Sequence, residues 1–458
     1  MLLPLILQYN DSATIIYFEE IMRSSQALLC VLFAWLAGLL LASSSAVFGA
    51  TADGALNNGL SGSSGTQDWH WLASWGAAQQ IPEAQNELAA EHWRDASLRQ
   101  IVHVSIGGTR LRVRISNAFG TTPLFIDGAS VALAQTPGKA DINVESIRVL
   151  RFSGSTGVMI PAGAEYYSDA VTLAHTAAAD LAVSLYFKGE PVRQTGHPGS
   201  RATSFFIKGN RVADAAWPDA GKVQHWYQLA DIEVQAPRHV GALVAIGDSI
   251  TDGYGVVTDG NQRWTDLLAA RLLKEGAPAM AIINAGIGGG RMLRDGLGPN
   301  LVARFDRDVL SRSGVTHAII MIGVNDLGVP HRNGEDMPAA RKQLIDDLQG
   351  AHQQLVERAH AHGICVIGAT ITPYMGSDYY RPNGDNEADR QSLNNWIRTS
   401  GVFDAVADFD AALREPTQPQ RMRAEVDSGD FLHPSPTGYL AIANAIPLSA
   451  LLPCELKR

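Results

Sequence analysis

Cysteine is scarce in this 458-residue sequence, which contains three. Cys30 lies in an apolar run near the N-terminus, Cys365 lies in an apolar strand pattern, and Cys454 lies near the C-terminus. So few cysteines exclude a disulfide-rich scaffold, because such folds hold a short chain with several bridges. The apolar surroundings of Cys365 predict a buried thiol rather than half of a disulfide, even in an oxidising compartment.

Basic clusters, metal motifs and dinucleotide motifs are also missing. The formal net charge is -10 and no Lys/Arg cluster occurs, so we expect no nucleic-acid partner and no affinity for anionic polymers. His352, His360 and His362 follow one helical pattern but do not form the H-E-x-x-H zinc arrangement. Gly286–Gly290 does not fit G-x-G-x-x-G. We therefore predict no metal and no cofactor.

One long apolar run occurs, Ala27–Ala42, after Arg23 and before a stretch of small residues. This order is typical of a secretory signal peptide, and the run is short for a membrane span of about 20 residues. We predict a signal region over residues 1–52, with Met22 as an alternative translation start because acidic residues precede it. An uncleaved anchor is the alternative. The predicted location is secreted or periplasmic, with no stable membrane span after cleavage.

The length and a hydrophobic content of 46% predict two domains. Residues 53–67 are rich in Gly, Ser and Asn, which indicates a flexible linker. Residues 68–237 carry period-2 runs such as Leu181–Phe187, which predict a β-sandwich, with a short helical stretch near Glu83–Leu98. Several aromatic side chains here are candidates for stacking on sugar rings, with a place in the sandwich core as the alternative: Trp69, Trp71, Trp75, Trp217, Trp226 and Tyr227.

Residues 238–458 alternate short apolar runs with longer stretches of helical spacing, which predicts a parallel α/β sheet. The predicted strands are Leu243–Asp248, Ala281–Gly286, His317–Gly323, Ile364–Ile371 and Ala405–Asp410.

Polar and glycine residues follow the carboxyl ends of three of these strands, where open parallel sheets bind ligands. They are Ser249, the Gly288–Gly290 cluster and Asn325. Asp430 and His433 stand three residues apart, so that the carboxylate can orient the imidazole. Taken singly, these residues also fit a turn serine, loop glycines, a helix-capping asparagine and a surface ion pair. Taken together, they indicate a serine nucleophile with a base and oxyanion donors.

The segments G-D-S-I, N-x-x-x-x-G, G-V-N-D and D-x-x-H, in this order, resemble the four sequence blocks of the SGNH, or GDSL-type, hydrolase superfamily. The resemblance covers roughly Val240 to the C-terminus. It implies a flavodoxin-like three-layer α/β/α fold, preceded here by the β-sandwich, and ester hydrolysis through a serine.

Carried over by motif position, the resemblance implies that Ser249 is the nucleophile, His433 the general base and Asp430 its orienting partner. It also implies an oxyanion hole formed by the N–H groups of Ser249 and Gly289 and the amide of Asn325. Gly289 stands five residues after Asn284, as the block glycine of the family does. Among neighbouring carboxylates, we expect Asp248 and Asp252 to bond loop backbone, and Asp326 to cap the next segment or steady the Asn325 loop.

The α/β-hydrolase elbow G-x-S-x-G is absent around Ser249, which argues against that fold. The predicted function is a secreted serine esterase that acts on a small-molecule or polysaccharide ester, with removal of acetyl groups from carbohydrate as the leading reaction. The N-terminal β-rich extension is similar to that of some SGNH carbohydrate esterases. An aryl or lipid ester acylhydrolase and a noncatalytic carbohydrate-binding protein are the alternatives.

Overall fold

The computed structural model describes residues 68–276 and 279–454. The predicted signal region (residues 1–52) and linker (residues 53–67) therefore lie outside the described residues. Residues Thr66–Arg458 group as one unit in which all the contacts described below are made. We refer to residues 68–237 as the N-terminal domain and to residues 238–454 as the C-terminal domain.

The N-terminal domain is built from antiparallel strands. They are β1 (Trp69–Gly76), β2 (Ala96–His103), β3 (Gly108–Ser116), β4 (Leu124–Ile126), β5 (Gly128–Leu133), β6 (Arg148–Val149), β7 (Val158–Ile160), β8 (Glu165–Tyr167), β9 (Val171–His175), β10 (Asp180–Phe187), β11 (Gly196–His197), β12 (Ser204–Lys208), β13 (Gly221–Val223), β14 (Trp226–Tyr227) and β15 (Leu229–Pro237).

Two sheets face each other across a common core in this domain. One has the order β1-β15-β3-β8, with β9 also paired to β3, and the other has the order β13-β12-β2-β10-β5-β6. Alternate residues of each sheet, such as Val113 and Val234 from the first and Val131 and Val183 from the second, are buried in one cluster. A period-2 pattern places every second side chain on one face, so this packing produces the predicted β-sandwich.

One sequence expectation for this domain was wrong, and a second, between sugar stacking and core packing, is resolved for four residues. The helical stretch near Glu83–Leu98 consists of short 3₁₀ turns at Ala84–Asn86 and Ala90–His92, and β2 begins at Ala96. Pairing of β2 with β10 and β12 overrides the local helical preference. Of the six candidate sugar-stacking residues, Trp75, Trp217, Trp226 and Tyr227 are buried, so the core alternative holds for these four.

The C-terminal domain contains the predicted parallel sheet, in the flavodoxin-like order β17-β16-β18-β19-β20. Its strands are β16 (Gly241–Gly247), β17 (Met280–Gly286), β18 (Val315–Met321), β19 (Cys365–Ala369) and β20 (Ala405–Ala407), and a small antiparallel pair follows, β21 (Arg414–Glu415) and β22 (Gln418–Met422). The predicted strand Ala405–Asp410 is shorter than expected, because Asp408 caps a helix that starts at Phe409.

Helices cover both faces of this sheet, which confirms the predicted α/β/α layers. They are α1 (Ser249–Asp252), α2 (Trp264–Glu275), α3 (Leu301–Phe305), α4 (Val324–Asn333), α5 (Pro338–Ala361), α6 (Gly384–Thr399), α7 (Phe409–Leu413) and α8 (Pro436–Ala445); a π-helical turn, Asp306–Leu310, continues α3. In β16, Leu243 and Ala245 pack under α2 and α8, whereas Val244 and Ile246 pack under α5 and α6. Burial on both faces explains the unbroken apolar run of this strand. No helix among the described residues is long and apolar enough to cross a membrane.

Cys365 and Cys454 form a disulfide, which corrects the prediction of a buried free thiol. Cys365 is buried in β19, and the two Cα atoms lie 6.1 Å apart, a usual spacing for a bridge. The chain after α8 returns to the sheet, where the Leu452 carbonyl accepts a hydrogen bond from His317 Nε2 at 3.1 Å. The apolar strand pattern gave no sign of this return, because it depends on tertiary contacts of the C-terminus.

The two domains share a core and a set of buried charges. Strand β1 lies against the edge strand β17, and Leu72 and Ala73 belong to the same apolar cluster as Ile283. Below this contact, the fully buried Asp231 of β15 accepts hydrogen bonds from Arg114 at 3.0 Å and from Arg312 of the C-terminal domain. Burial raises the pKa of Asp231 to about 6, although the two guanidinium groups oppose this shift.

We predict that Arg312→Met lowers the free energy of unfolding by about 3–5 kcal/mol, because it leaves a buried carboxylate without one of its two cations. Equilibrium denaturation followed by circular dichroism measures the change. Arg94→Met is the matched control, since Arg94 pairs with Glu190 at the surface and its loss should have little effect. Equal denaturation midpoints for the Arg312 variant and the parent would contradict the role of this pair.

Candidate active site

Ser249 lies where β16 ends and α1 begins, as its motif predicted. Asp248 caps the helix, and its carboxylate accepts a hydrogen bond from the Ile250 N–H at 3.0 Å. Burial raises the pKa of Asp248 to about 7, against the effect of that hydrogen bond. The helix lies close to the next strand, and only a glycine at position 286 leaves room for it. A Cβ atom on Gly286 would collide with the backbone of Asp252. These contacts hold the Ser249 turn in place at the sheet edge.

The structure brings Ser249, His433 and Asp430 into one line of hydrogen bonds. Ser249 Oγ lies 2.9 Å from His433 Nε2, and His433 Nδ1 lies 2.6 Å from Asp430 Oδ2. Ser249 and His433 are each 8% exposed, whereas the Asp430 side chain is 41% exposed. Burial alone would raise the pKa of Asp430, but hydrogen bonds from the His433 ring and backbone hold it well below its usual range. Asp430 therefore carries a charge and accepts the Nδ1 proton, which leaves Nε2 to accept the serine proton.

Gly289 and Asn325 line the same cleft as Ser249. Gly289 has φ of 65°, a left-handed conformation that glycine adopts without strain, and its N–H has no acceptor among the described residues. The neighbouring Gly290 N–H is occupied, since it donates to the Ile287 carbonyl at 3.0 Å. The Asn325 amide donates one hydrogen to the Gly290 carbonyl at 2.8 Å, so a second N–H remains for a ligand.

Tyr380 orients the Asn325 amide. Its hydroxyl donates a hydrogen bond to Asn325 Oδ1, which fixes the amide nitrogen on the other side. Asp326 holds the glycine loop in turn, because its carboxylate accepts the N–H groups of Met292 at 2.8 Å and Leu293 at 3.3 Å. Asp326 thus steadies the glycine loop that faces Asn325, which differs from the two expected roles of capping the next segment or steadying the Asn325 loop itself. Burial raises the pKa of Asp326 to about 6, although these backbone hydrogen bonds lower it.

The Asp252 side chain was expected to bond loop backbone. It instead bonds a buried histidine of the N-terminal domain. Its Oδ1 lies 2.8 Å from His197 Nε2, and His197 Nδ1 lies 2.8 Å from the Ala78 carbonyl. Both ring nitrogens of His197 therefore face oxygen atoms, Asp252 Oδ1 on one side and the Ala78 carbonyl oxygen on the other. A Cβ atom on Gly199 would collide with the Asp252 carboxylate, so this loop too approaches α1 closely.

The cleft over Ser249 has a volume of about 690 Å³ and takes side chains from both domains. The N-terminal domain contributes Gln80, Glu83, Asn86, Arg201 and His225 among others. Four large apolar side chains of the C-terminal domain line the cleft and are partly exposed: Tyr254, Leu297, Tyr379 and Phe431. The Tyr254 ring lies against the His433 ring, with centroids 4.1 Å apart.

Sequence reasoning did not identify Tyr380, Tyr254, Arg201 or His197 as parts of this site. Tyr380 follows the carboxyl end of β19, so the rule that placed Asn325 at a strand end was a usable signal for it. Arg201 and His197 gave no such signal, because loops of the other domain carry them to the cleft. Among the described residues, no group of three or more His, Cys, Asp and Glu side chains is placed to hold a metal ion.

The comparison with protein families finds a match in the C-terminal domain. Residues 245–441 match the model of the GDSL-like lipase/acylhydrolase family. Similar solved structures include the lipase/acylhydrolase from Enterococcus faecalis (20% identity, TM-score 0.37, covering 48% of this chain and 99% of that chain). A GDSL-like lipase from Bacteroides thetaiotaomicron (20% identity, TM-score 0.35, covering 46% and 87%) and an acetyl xylan esterase (21% identity, TM-score 0.34, covering 44% and 96%) are also similar. No curated protein matches the chain. The C-terminal domain of this chain is thus similar, over residues 245–441, to the GDSL-like lipase/acylhydrolase family, and that segment contains Ser249, Gly289, Asn325, Asp430 and His433.

Proposed function

We propose that this protein is a secreted serine esterase that hydrolyses carboxylic esters, with acetylated carbohydrate as its leading substrate class. The observation that carries the proposal is the line of hydrogen bonds from Ser249 through His433 to Asp430, at 2.9 and 2.6 Å. A serine hydroxyl is a weak nucleophile at neutral pH, so it requires an adjacent base that a third group orients.

In the first half of the reaction, Ser249 Oγ attacks the ester carbonyl while His433 Nε2 takes the serine proton. The carbonyl oxygen becomes an oxyanion, which the N–H groups of Ser249 and Gly289 and the amide of Asn325 stabilise. Collapse of this tetrahedral intermediate breaks the bond to the alcohol oxygen. His433 gives its proton to that oxygen, the alcohol departs, and Ser249 is left acylated.

In the second half, a water molecule attacks the acyl group and gives a proton to His433. The second tetrahedral intermediate uses the same three donors. Its collapse releases the carboxylic acid, and the proton returns from His433 to Ser249 Oγ. Throughout, Asp430 keeps its charge, so it stabilises the imidazolium that forms in each half.

Carbohydrate is the leading candidate for the alcohol part of the ester substrate, because the cleft is open, is built by two domains and has aromatic rings at its rim. Tyr254, Tyr379 and Phe431 are each more than two fifths exposed, and such rings can stack on sugar faces. The same apolar rim favours an aryl or lipid ester as the second candidate. Rates on acetylated polysaccharides, compared with p-nitrophenyl esters of increasing chain length, separate these two candidates.

A noncatalytic carbohydrate-binding protein is the contrasting function. It has no need of a hydroxyl, an imidazole and a carboxylate in hydrogen-bonded order.

Secretion is supported by the Cys365–Cys454 disulfide, because disulfides persist in oxidising compartments and are rare in reducing ones. Fractionation of the host cells, with the mature N-terminus determined by mass spectrometry, tests the signal region over residues 1–52.

We predict that Ser249→Ala abolishes ester hydrolysis without unfolding the protein, because the hydroxyl lies at the surface of a cleft and its loss leaves no large cavity. Turnover of p-nitrophenyl acetate and labelling by a fluorophosphonate measure the effect. Ser377→Ala is the matched control, since Ser377 lines the same cleft but its hydroxyl has no hydrogen-bond partner in the described chain. A folded Ser249→Ala protein with near-parental turnover would sink the proposal.

We predict that Asp430→Asn lowers kcat by about 100- to 10,000-fold, because the amide no longer fixes the tautomer that leaves His433 Nε2 as the acceptor. Asp378→Asn, a change at an exposed carboxylate of the same cleft, should retain most of the rate. Stopped-flow or steady-state kinetics at saturating substrate measure kcat. A loss of rate caused only by unfolding is recognised by a matching loss of the circular dichroism signal, and an undiminished kcat would refute the role of Asp430.

We predict that Tyr380→Phe lowers kcat by about tenfold, less than the roughly 100- to 1,000-fold cost of removing an oxyanion donor itself. The Asn325 amide keeps its donor in this variant but loses the hydrogen bond that orients it. Tyr374→Phe is the control, because the buried Tyr374 hydroxyl has no hydrogen-bond partner among the described residues. A kcat for Tyr380→Phe equal to that of Tyr374→Phe would show that the orienting bond does not matter.

A further inference from the structure

A loop of the N-terminal domain enters the cleft at Arg201 and is fastened there. The Arg201 carbonyl accepts a hydrogen bond from the Asp259 N–H at 2.9 Å, and the carboxylate of Asp259 accepts two hydrogen bonds from Thr203, both at 2.6 Å. The carbonyl of the preceding Ser200 accepts a hydrogen bond from Arg263. Arg201 itself has φ of 48°, an uncommon conformation for a residue with a side chain. The loop is therefore held in one position against the C-terminal domain.

The Arg201 side chain lies close to the reacting groups. Its guanidinium carbon lies 5.1 Å from the centre of the Tyr254 ring, and the Tyr254 ring lies 4.1 Å from the His433 ring. One aromatic ring thus separates the cation from the imidazole. A group bound at this guanidinium would therefore lie close to an ester bond at Ser249.

Arg201 has no anionic partner in the described chain. It forms no ion pair there, and its Nε atom is buried without a hydrogen-bond partner. Other arginines at the domain junction differ, since Arg114 and Arg312 both bind Asp231 and Arg263 binds Asp266. A guanidinium that has lost solvent contact on one side without gaining an anion is incompletely satisfied.

The other charged groups of the cleft do not neutralise it. Asp252 is bonded to His197, and Asp430 is bonded to His433. Glu83 accepts a hydrogen bond from Asn86, and Asp378 is exposed at the rim. Burial lowers the pKa of His225, the remaining imidazole, which favours its neutral form. Among the described residues that line the cleft, Arg201 is the one arginine or lysine.

We propose that Arg201 binds a carboxylate carried by the ester substrate, so that the preferred substrates bear one negative charge close to the bond that is cleaved. The inference rests on the proposed esterase function. A guanidinium matches a carboxylate in shape and in charge, through two parallel hydrogen bonds. A doubly charged phosphate fits less well, because one arginine stands alone beside Glu83 and Asp378. The charge of -10 on the whole chain also favours a single carboxylate over a polyanion.

Paired esters that differ by one carboxylate test the proposal. For a carboxylate on the alcohol part, the pair is 4-acetoxybenzoate and its methyl ester. For a carboxylate on the acyl part, the pair is mono-p-nitrophenyl succinate and p-nitrophenyl butyrate. We expect Arg201→Met to lower the ratio of kcat/KM between the charged and neutral members of one pair by about tenfold or more. Arg201→Lys should retain part of the ratio, and Arg94→Met, at an exposed arginine of the same domain, should leave it unchanged.

A binding measurement keeps the inference separate from the proposed function. Calorimetry of 4-acetoxybenzoate and mono-p-nitrophenyl succinate with Ser249→Ala protein gives Kd without turnover, and Arg201→Met in that background should raise one of the two Kd values by about tenfold. This result would stand even if the parent hydrolysed neither ester, in which case the esterase proposal alone would fail. Unchanged ratios and Kd values overturn the role of Arg201. An equal loss on charged and neutral members also overturns it, since that loss indicates a structural role.

Discussion

The pairing of buried charge across the domain junction is the constraint on which the rest of the molecule depends. Asp231 is fully buried in the sandwich, and one of its two guanidinium partners, Arg312, comes from the other domain. Each ion is costly to bury alone, so the two domains satisfy one another only in a single relative position. The shared apolar cluster of Leu72, Ala73 and Ile283 adds the nondirectional part of the same contact.

This fixed junction determines the shape of the cleft, because both domains contribute side chains to its walls. The C-terminal domain by itself supplies Ser249, His433, Asp430 and the donors of the oxyanion site. The N-terminal domain supplies the opposite wall of the cleft. It also supplies His197, which bonds Asp252 of α1, and Arg201, which lies over the Tyr254 ring. Chemistry and selectivity are thereby divided between two parts of the chain, and the buried junction keeps their geometry constant.

The sequence was sufficient for the parts of the molecule that depend on local periodicity. Strands buried on both faces, such as Gly241–Gly247, leave a continuous apolar run, and the residues after them must meet at one sheet edge. That logic located Ser249, the Gly288–Gly290 cluster and Asn325, whereas the family resemblance singled out Gly289 within the cluster. It could not locate contacts between residues far apart in sequence, such as His197 with Asp252 or Cys365 with Cys454, because neither partner leaves a pattern in its own neighbourhood. The helix expected near Glu83–Leu98 was wrong for the same reason, since the pairing of β2 decides its structure.

The position of β1 against β17 has a consequence for the order in which the protein is made. Strand β17 is an edge of the parallel sheet, and an uncovered edge strand invites pairing with other chains. Domains generally fold as they leave the ribosome, starting from the N-terminus. The sandwich ends at Pro237, so it is complete before Met280–Gly286 is synthesised. A C-terminal domain that folds after the sandwich would therefore meet a surface that covers its edge strand, which would lower the chance of pairing with another chain.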